Sequence, residues 1–153
     1  MIIDGSFDTL NINGSFDMKD ESGVAVFNVS RSKYMNDKVY ITSPSSNIEY
    51  LGEVVNNLNY EEFVLYEEDS EILRIKQTNA LGVPKFDILS PYGEFTTKFS
   101  LRKRSLLLMD GAKQILSFSG TPNDYKLDID DNCNTFYVMC IAYGITSLLN
   151  LEW

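Results

Sequence analysis

The stretch that closes the chain, "FYVMCIAYGITSLLNLEW", limits the fold more than any other part of it. Between Phe136 and Leu149 its only strongly polar groups are hydroxyls. A membrane-spanning helix needs about 20 apolar residues. This run has about 14 to 16, contains Gly144, Thr146 and Ser147, and then meets Asn150 and Glu152. No basic residue flanks it, and the segment before it, "DIDDNCN", is acidic. No transmembrane insertion is therefore expected. Phe136, Val138, Met139, Ile141, Ala142, Ile145, Leu148, Leu149 and Leu151 point in most directions round a helix. A helix that is apolar all round has to be enclosed by other structure. Asp130, Asp131, Asn132 or Asn134 would cap it, and negative charge there suits the positive end of its dipole.

The rest of the chain supplies strands for that enclosure. Five segments share one pattern: "FDMKDESGVAVFNVS", "VYITSPSSNIEYLGEVV", "FVLYEEDSEILRIKQ", "FDILSPYGEFTTKFS" and "LLLMDGAKQILSFSG". Each has an alternating run, a polar turn, and a second alternating run, which reads as a β-hairpin. Their leading residues Phe16, Tyr40, Phe63, Phe86 and Leu107 recur about every 23 residues. "FDTLNI" before the first unit, with Asn13-Gly14 as its turn, and "YKLDI" after the last read as further strands. Ten to twelve strands result. A barrel of about eight strands is just filled by side chains, so a larger one leaves a bore. A helix about 10 Å across would plug it. The expected fold is mainly β: one domain, 1–153, with a closed antiparallel barrel of about 12 strands around a central C-terminal helix.

Three segments carry a likeness to a known family: "FDMKDESGVAVFNV", "RSLLLMDGAKQILSFSG" and "DYKLDIDDNCNTFYVMCIAYGITSLL". The chain resembles the tubby C-terminal-like superfamily, and within it the LURP-one-related proteins. Its end is also similar to that of the phospholipid scramblases, where an acidic segment precedes an apolar helix. The resemblance implies a twelve-stranded barrel around a C-terminal helix. It also implies a binding or scaffold role, with phosphoinositides met by basic residues on the outer wall. The second hairpin departs from the pattern, with Pro44-Ser45-Ser46-Asn47 where Asp-x-x-Gly is usual.

Composition narrows the chemistry. The chain has no histidine, which removes Ser–His and Cys–His catalysis and any histidine metal site. It has no glycine-rich phosphate loop of the Gly-x-Gly-x-x-Gly or Walker type. Its two cysteines, Cys133 and Cys140, lie about 10 Å apart along a helix axis if both are helical, too far for a disulfide. Asp128, Asp130 and Asn132 sit at the first, third and fifth places of an EF-hand loop, but Cys133 replaces its glycine and Met139 its glutamate. Helix capping is the preferred reading of that segment, so no metal and no cofactor are expected. Glu61, Glu62, Glu67, Glu68, Asp69 and Glu71 read as a solvated strand face and turn, and no catalytic residue is expected.

A net charge of −9 argues against nucleic acid as a partner, because binding it means neutralising phosphates. The one basic cluster is "TKFSLRKRS". On a strand, Lys98, Arg102 and Arg104 share a face with Ser100, and Phe99 points inward. Those three cations are the candidate site for an anionic phospholipid headgroup; a protein partner on the same wall is the other reading. The expected protein is cytoplasmic, peripheral at a membrane if the wall binds lipid. The alternative is a scramblase-like protein whose C-terminal helix engages lipid.

Overall fold

A computed structural model describes residues 1–5, 15–31, 38–56, 60–79, 82–100, 102, 105–121 and 124–149. The strand expected at "FDTLNI" and Arg104 of the basic cluster lie outside the described residues.

The described residues form twelve strands followed by one helix. The strands are β1 (Ile2–Gly5), β2 (Ser15–Lys19), β3 (Ala25–Arg31), β4 (Lys38–Ser43), β5 (Ile48–Asn56) and β6 (Glu61–Glu67). Then come β7 (Ser70–Gln77), β8 (Phe86–Leu89), β9 (Phe95–Ser100), β10 (Ser105–Asp110), β11 (Lys113–Thr121) and β12 (Asp124–Ile129). The helix α1 spans Thr135–Leu148. All strand pairings are antiparallel, as expected of consecutive hairpins.

The strands do not form one closed barrel. They make two sheets: five strands in the order β1-β12-β11-β10-β9, and seven in the order β2 to β8. Neither sheet closes on itself. At one seam β1 and β2 lie side by side, and among the described residues the sole bridge there joins Ile3 to Asp20, the residue after β2. At the other, β8 and β9 approach each other without a ladder. Local chemistry explains the second gap. β8 is only four residues long. Directly after it, the Ser90 hydroxyl is held 2.6 Å from the Tyr137 hydroxyl on α1 and accepts from the Tyr92 N–H at 3.1 Å. Pro91 follows and has no N–H to give. The chain is pinned to the helix before it can pair.

The helix lies between the two sheets, touching β3, β6 and β7 of the larger and β11 of the smaller. All of its residues from Phe136 to Thr146 are buried. Phe136 packs on Phe27 and Tyr50 with ring centroids 5.8 and 5.2 Å apart, and Tyr143 packs on Phe63 at 5.9 Å. The helix hydroxyls are satisfied locally: Thr146 and Ser147 both donate to the Tyr143 carbonyl at 2.8 Å. That pattern lets an otherwise apolar helix carry them at little cost. Asn134 is the cap, accepting from the Tyr137 N–H at 3.1 Å. Gly144 marks the closest approach to the sheet. A Cβ there would collide with the Phe63 ring and lie 2.9 Å from Ile75 Cδ1.

Three of the hairpins carry a β-bulge at matching places. In β2–β3, β6–β7 and β10–β11 the register shifts just beyond the turn, leaving Val26, Ile72 and Ile115 as the extra residues. Ile72 and Leu73 are consequently both buried, as are Ile115 and Leu116. A bulge frees backbone groups from the ladder. Tyr137 satisfies the Ile72 carbonyl at 2.7 Å, and the Asp130 N–H satisfies that of Ile115 at 2.9 Å. The departing second hairpin solves its turn differently. Asn47 takes the left-handed conformation, φ 54°, which asparagine tolerates better than most residues.

Candidate functional site

The outer face of the five-stranded sheet is read directly from its register. One row runs Lys98, Leu107, Ser117, Asp128 across β9, β10, β11 and β12. The next runs Ser100, Ser105, Ser119, Lys126. The alternate residues Leu106, Leu108, Leu116, Phe118 and Leu127 are buried in the core, so the two rows face outward. Lys98, Ser119, Lys126 and Asp128 are exposed.

The basic cluster is not one strand. β9 ends at Ser100, which pairs with Ser105 at the start of β10, so the chain reverses between them. Lys98 stands on β9, and Arg102 is exposed in the connection. Reading "TKFSLRKRS" as continuous alternation missed this reversal. It also missed Lys126, which the neighbouring hairpin brings to the same face.

Several other cations are held by carboxylates. Glu62 was expected to be a solvated carboxylate, yet it is only 2% exposed. It pairs with Arg74 and with Lys76, whose Nζ lies 3.3 Å away, both on the adjacent β7. Arg74 also meets Glu71 at 2.6 Å. Burial alone would raise the Glu62 pKa, but the hydrogen bonds from Arg74 and Lys76 outweigh it and hold the carboxyl below its ordinary range. Lys38 lies 3.7 Å from Glu53, and Lys113 lies 3.0 Å from Asp130. Among the described residues, Lys98, Arg102 and Lys126 have no ion-pair partner, and neither do Lys19 and Lys85 elsewhere in the chain.

A second feature lies at the N-terminal end of α1. A cleft of about 370 Å³ is lined by Tyr92, Phe95, Asp110, Lys113, Ile115, Asn132, Cys133, Asn134, Tyr137 and Val138. Three separate stretches of chain meet there, which no linear reading brings together. The Tyr137 hydroxyl donates to Ile72, so Ser90 is the donor in the Ser90–Tyr137 contact. Burial pushes the Tyr137 phenol up to about 12. The Cys133 thiol donates to the Asp130 carbonyl at 3.0 Å, and burial, with the Asp130 charge, raises its pKa. Cys133 and Cys140 are both free thiols.

The EF-hand-like residues are employed otherwise. Asp130 accepts from the Asn132 N–H at 2.8 Å and pairs with Lys113, which together hold its carboxyl below the ordinary range. Asp128 faces outward from β12. Among the described residues no three metal-ligating side chains of His, Cys, Asp or Glu type come together. No helix among them is long and apolar enough to cross a membrane. Comparison of the chain with protein-family models, with curated proteins and with solved structures finds no match.

Proposed function

We propose that this is a non-enzymatic binding domain that docks the outer face of its five-stranded sheet on an anionic phospholipid surface. The observation that carries the reading is Lys98 and Lys126 on that face, with Arg102 exposed in the connection at its edge, all three without ion-pair partners among the described residues. In a chain of net charge −9, other cations such as Arg74, Lys76 and Lys113 are held by carboxylates. Lys98 and Lys126 stand three strands apart, about 14 Å at ordinary strand spacing. That span suits several headgroups of a surface better than one phosphate. Serine hydroxyls between them add donors for phosphate oxygens. The order of strands, β1 to β12 round a central helix, supports kinship with the tubby C-terminal-like proteins. The scramblase-like alternative asks more: α1 would have to leave the contacts that bury it.

Flotation with vesicles tests the reading. The protein should float with vesicles containing phosphoinositide or phosphatidylserine, and not with phosphatidylcholine alone. Binding should fall as salt rises, since exposed charges are screened beyond about 8–10 Å at physiological strength. A variant with Lys98, Arg102, Arg104 and Lys126 all changed to Ala should fold normally and no longer float. Undiminished flotation of that variant, or none by the parent, would leave a protein-partner role on this wall as the better reading.

A further inference from the structure

We infer that the end of the molecule carrying the β5–β6, β7–β8 and β9–β10 connections enters the interface of an anionic phospholipid membrane, with Val83 and Tyr60 at the boundary of headgroups and acyl chains. This rests on the reading of the basic wall as a lipid-docking face, and it adds to that wall an apolar anchor and an orientation.

The strands alternate in direction, so every second connection lies at the same end. Val83 is 46% exposed there and Tyr60 44%. The register brings the two near each other. Asn56 pairs with Glu61 at the end of the β5–β6 ladder, and Gln77 with Phe86 at the end of the β7–β8 ladder. One step beyond, the β6–β7 register carries Tyr60 level with Thr78, whose N–H donates to the Lys85 carbonyl at 2.9 Å. Tyr60 and Lys85 thus stand about 10 Å apart at ordinary strand spacing, and Val83 precedes Lys85 by one proline.

The β7–β8 connection is built to present Val83. Asn79 Nδ2 donates to the Val83 carbonyl at 2.6 Å, and Asn79 Oδ1 accepts from the Lys85 N–H at 2.8 Å. Pro84 between them has no N–H to satisfy. Gly82 makes the turn with φ 87°, a conformation glycine adopts without strain. One asparagine side chain therefore meets the backbone groups on both sides of Pro84, and the Val83 side chain is left outward. Backbone groups without partners are what keep irregular chain out of lipid. A tyrosine suits the same boundary, with its ring in the apolar layer and its hydroxyl in water.

The charges orient the domain. Lys85 and Arg102 are exposed at this end, without ion-pair partners among the described residues. Lys98 and Lys126 stand on the half of the wall nearest it. The exposed carboxylates Glu61 and Asp87 lie here too. The opposite end carries more: the Glu67-Glu68-Asp69 turn, Glu21, Glu94 and Asp110. An anionic surface repels that end and admits the other.

The test is NMR of the full chain on lipid nanodiscs of phosphatidylcholine and phosphatidylserine, spin-labelled either on the headgroup or high on the acyl chain. The acyl label should broaden the amide signals of Tyr60, Val83 and Lys85. It should leave sharp those of Val24 and Tyr92, which are exposed at the opposite end. Val83→Ala should weaken vesicle binding by about tenfold with its salt dependence unchanged, because the lost methyl groups carry no charge. Its thermal unfolding should stay near that of the parent, the position being exposed. Broadening of Lys98 and Lys126 by the headgroup label, with Val83 and Tyr60 as sharp as Val24 under the acyl label, would overturn the anchor and leave the docking wall standing. Undiminished binding by Val83→Ala would do the same. No binding of the parent to these discs would overturn wall and anchor together.

Discussion

The Tyr137 hydroxyl donates to the Ile72 carbonyl at 2.7 Å, joining the helix to the bulge of β7 across 65 positions of sequence. Ser90 donates to the same hydroxyl, so one phenol ties together α1, β7 and the connection after β8. Removing it in Tyr137→Phe leaves a buried carbonyl without its donor. Leaving such a group unsatisfied costs about 1–3 kcal/mol. Urea unfolding should show that loss as a lower midpoint with an unchanged slope.

Two buried phenols predict an alkaline transition. Burial pushes both Tyr137 and Tyr50 up to about 12, above the ordinary phenol value of 10.0. A raised pKa in the folded state means stability that is whole below the unfolded value and lost as pH rises through the folded one. Thermal stability should therefore hold below pH 10.0 and fall between there and about 12. Tyr137→Phe should reduce the steepness of that fall, read by tyrosinate absorbance together with circular dichroism.

Gly144→Ala sets two effects against each other. Alanine favours a helix over glycine by about 1 kcal/mol. Here its methyl would strike the Phe63 ring, and Phe63 is itself fully enclosed. Overpacking of this kind costs about 1–3 kcal/mol, so the variant should be less stable on balance. Phe63→Leu in the same chain should recover part of the loss, a coupling that a double-mutant cycle measures.

Acid should loosen the ion cluster on β6 and β7. The Glu62 carboxyl is held below its ordinary range, so its contribution is present above the unfolded pKa and lost as pH falls through the folded one. Glu62→Gln removes one partner of a buried pair, a change that costs about 3 kcal/mol or somewhat less here because Arg74 keeps Glu71. The gap in stability between parent and variant should be widest near neutral pH and narrow as pH falls below 4.5.

Much of this fold can be read from the sequence, because hairpins and helices are written locally. Alternation around polar turns marks the hairpins, and the all-apolar run with Asn134 before it marks an enclosed, capped helix. The two-sheet arrangement is not local. Whether β8 and β9 pair depends on where Ser90 is held, and that depends on Tyr137, 47 positions away. The bulges are half-legible: Val26-Phe27, Ile72-Leu73 and Ile115-Leu116 are adjacent apolar pairs that break alternation at the same place in three hairpins. Glu62 was misread because it stands in an acidic run, although Lys76 sits directly opposite it once the hairpin is folded. Of the expected basic residues, Lys98 stands on the outer face and Arg102 in the connection beside it, while Lys126 joins Lys98 there only through the β11–β12 register. The cleft is assembled from three stretches of chain, and none of them carries a sign of it alone.

The central claim is that α1 is the protein's own core while the outer wall of the five-stranded sheet does the binding. Amide hydrogen exchange, measured with and without anionic vesicles, tests both halves at once. Without vesicles, the amides of α1 from Val138 to Leu148 should exchange only through global unfolding, at the same rate as β6 and β11, since they are buried between the same sheets. With vesicles, that protection should be unchanged, and new protection should arise in the β9–β10 hairpin around Arg102. Loss of protection in α1 on adding vesicles would contradict the account, because it would mean that the helix leaves the core to meet lipid.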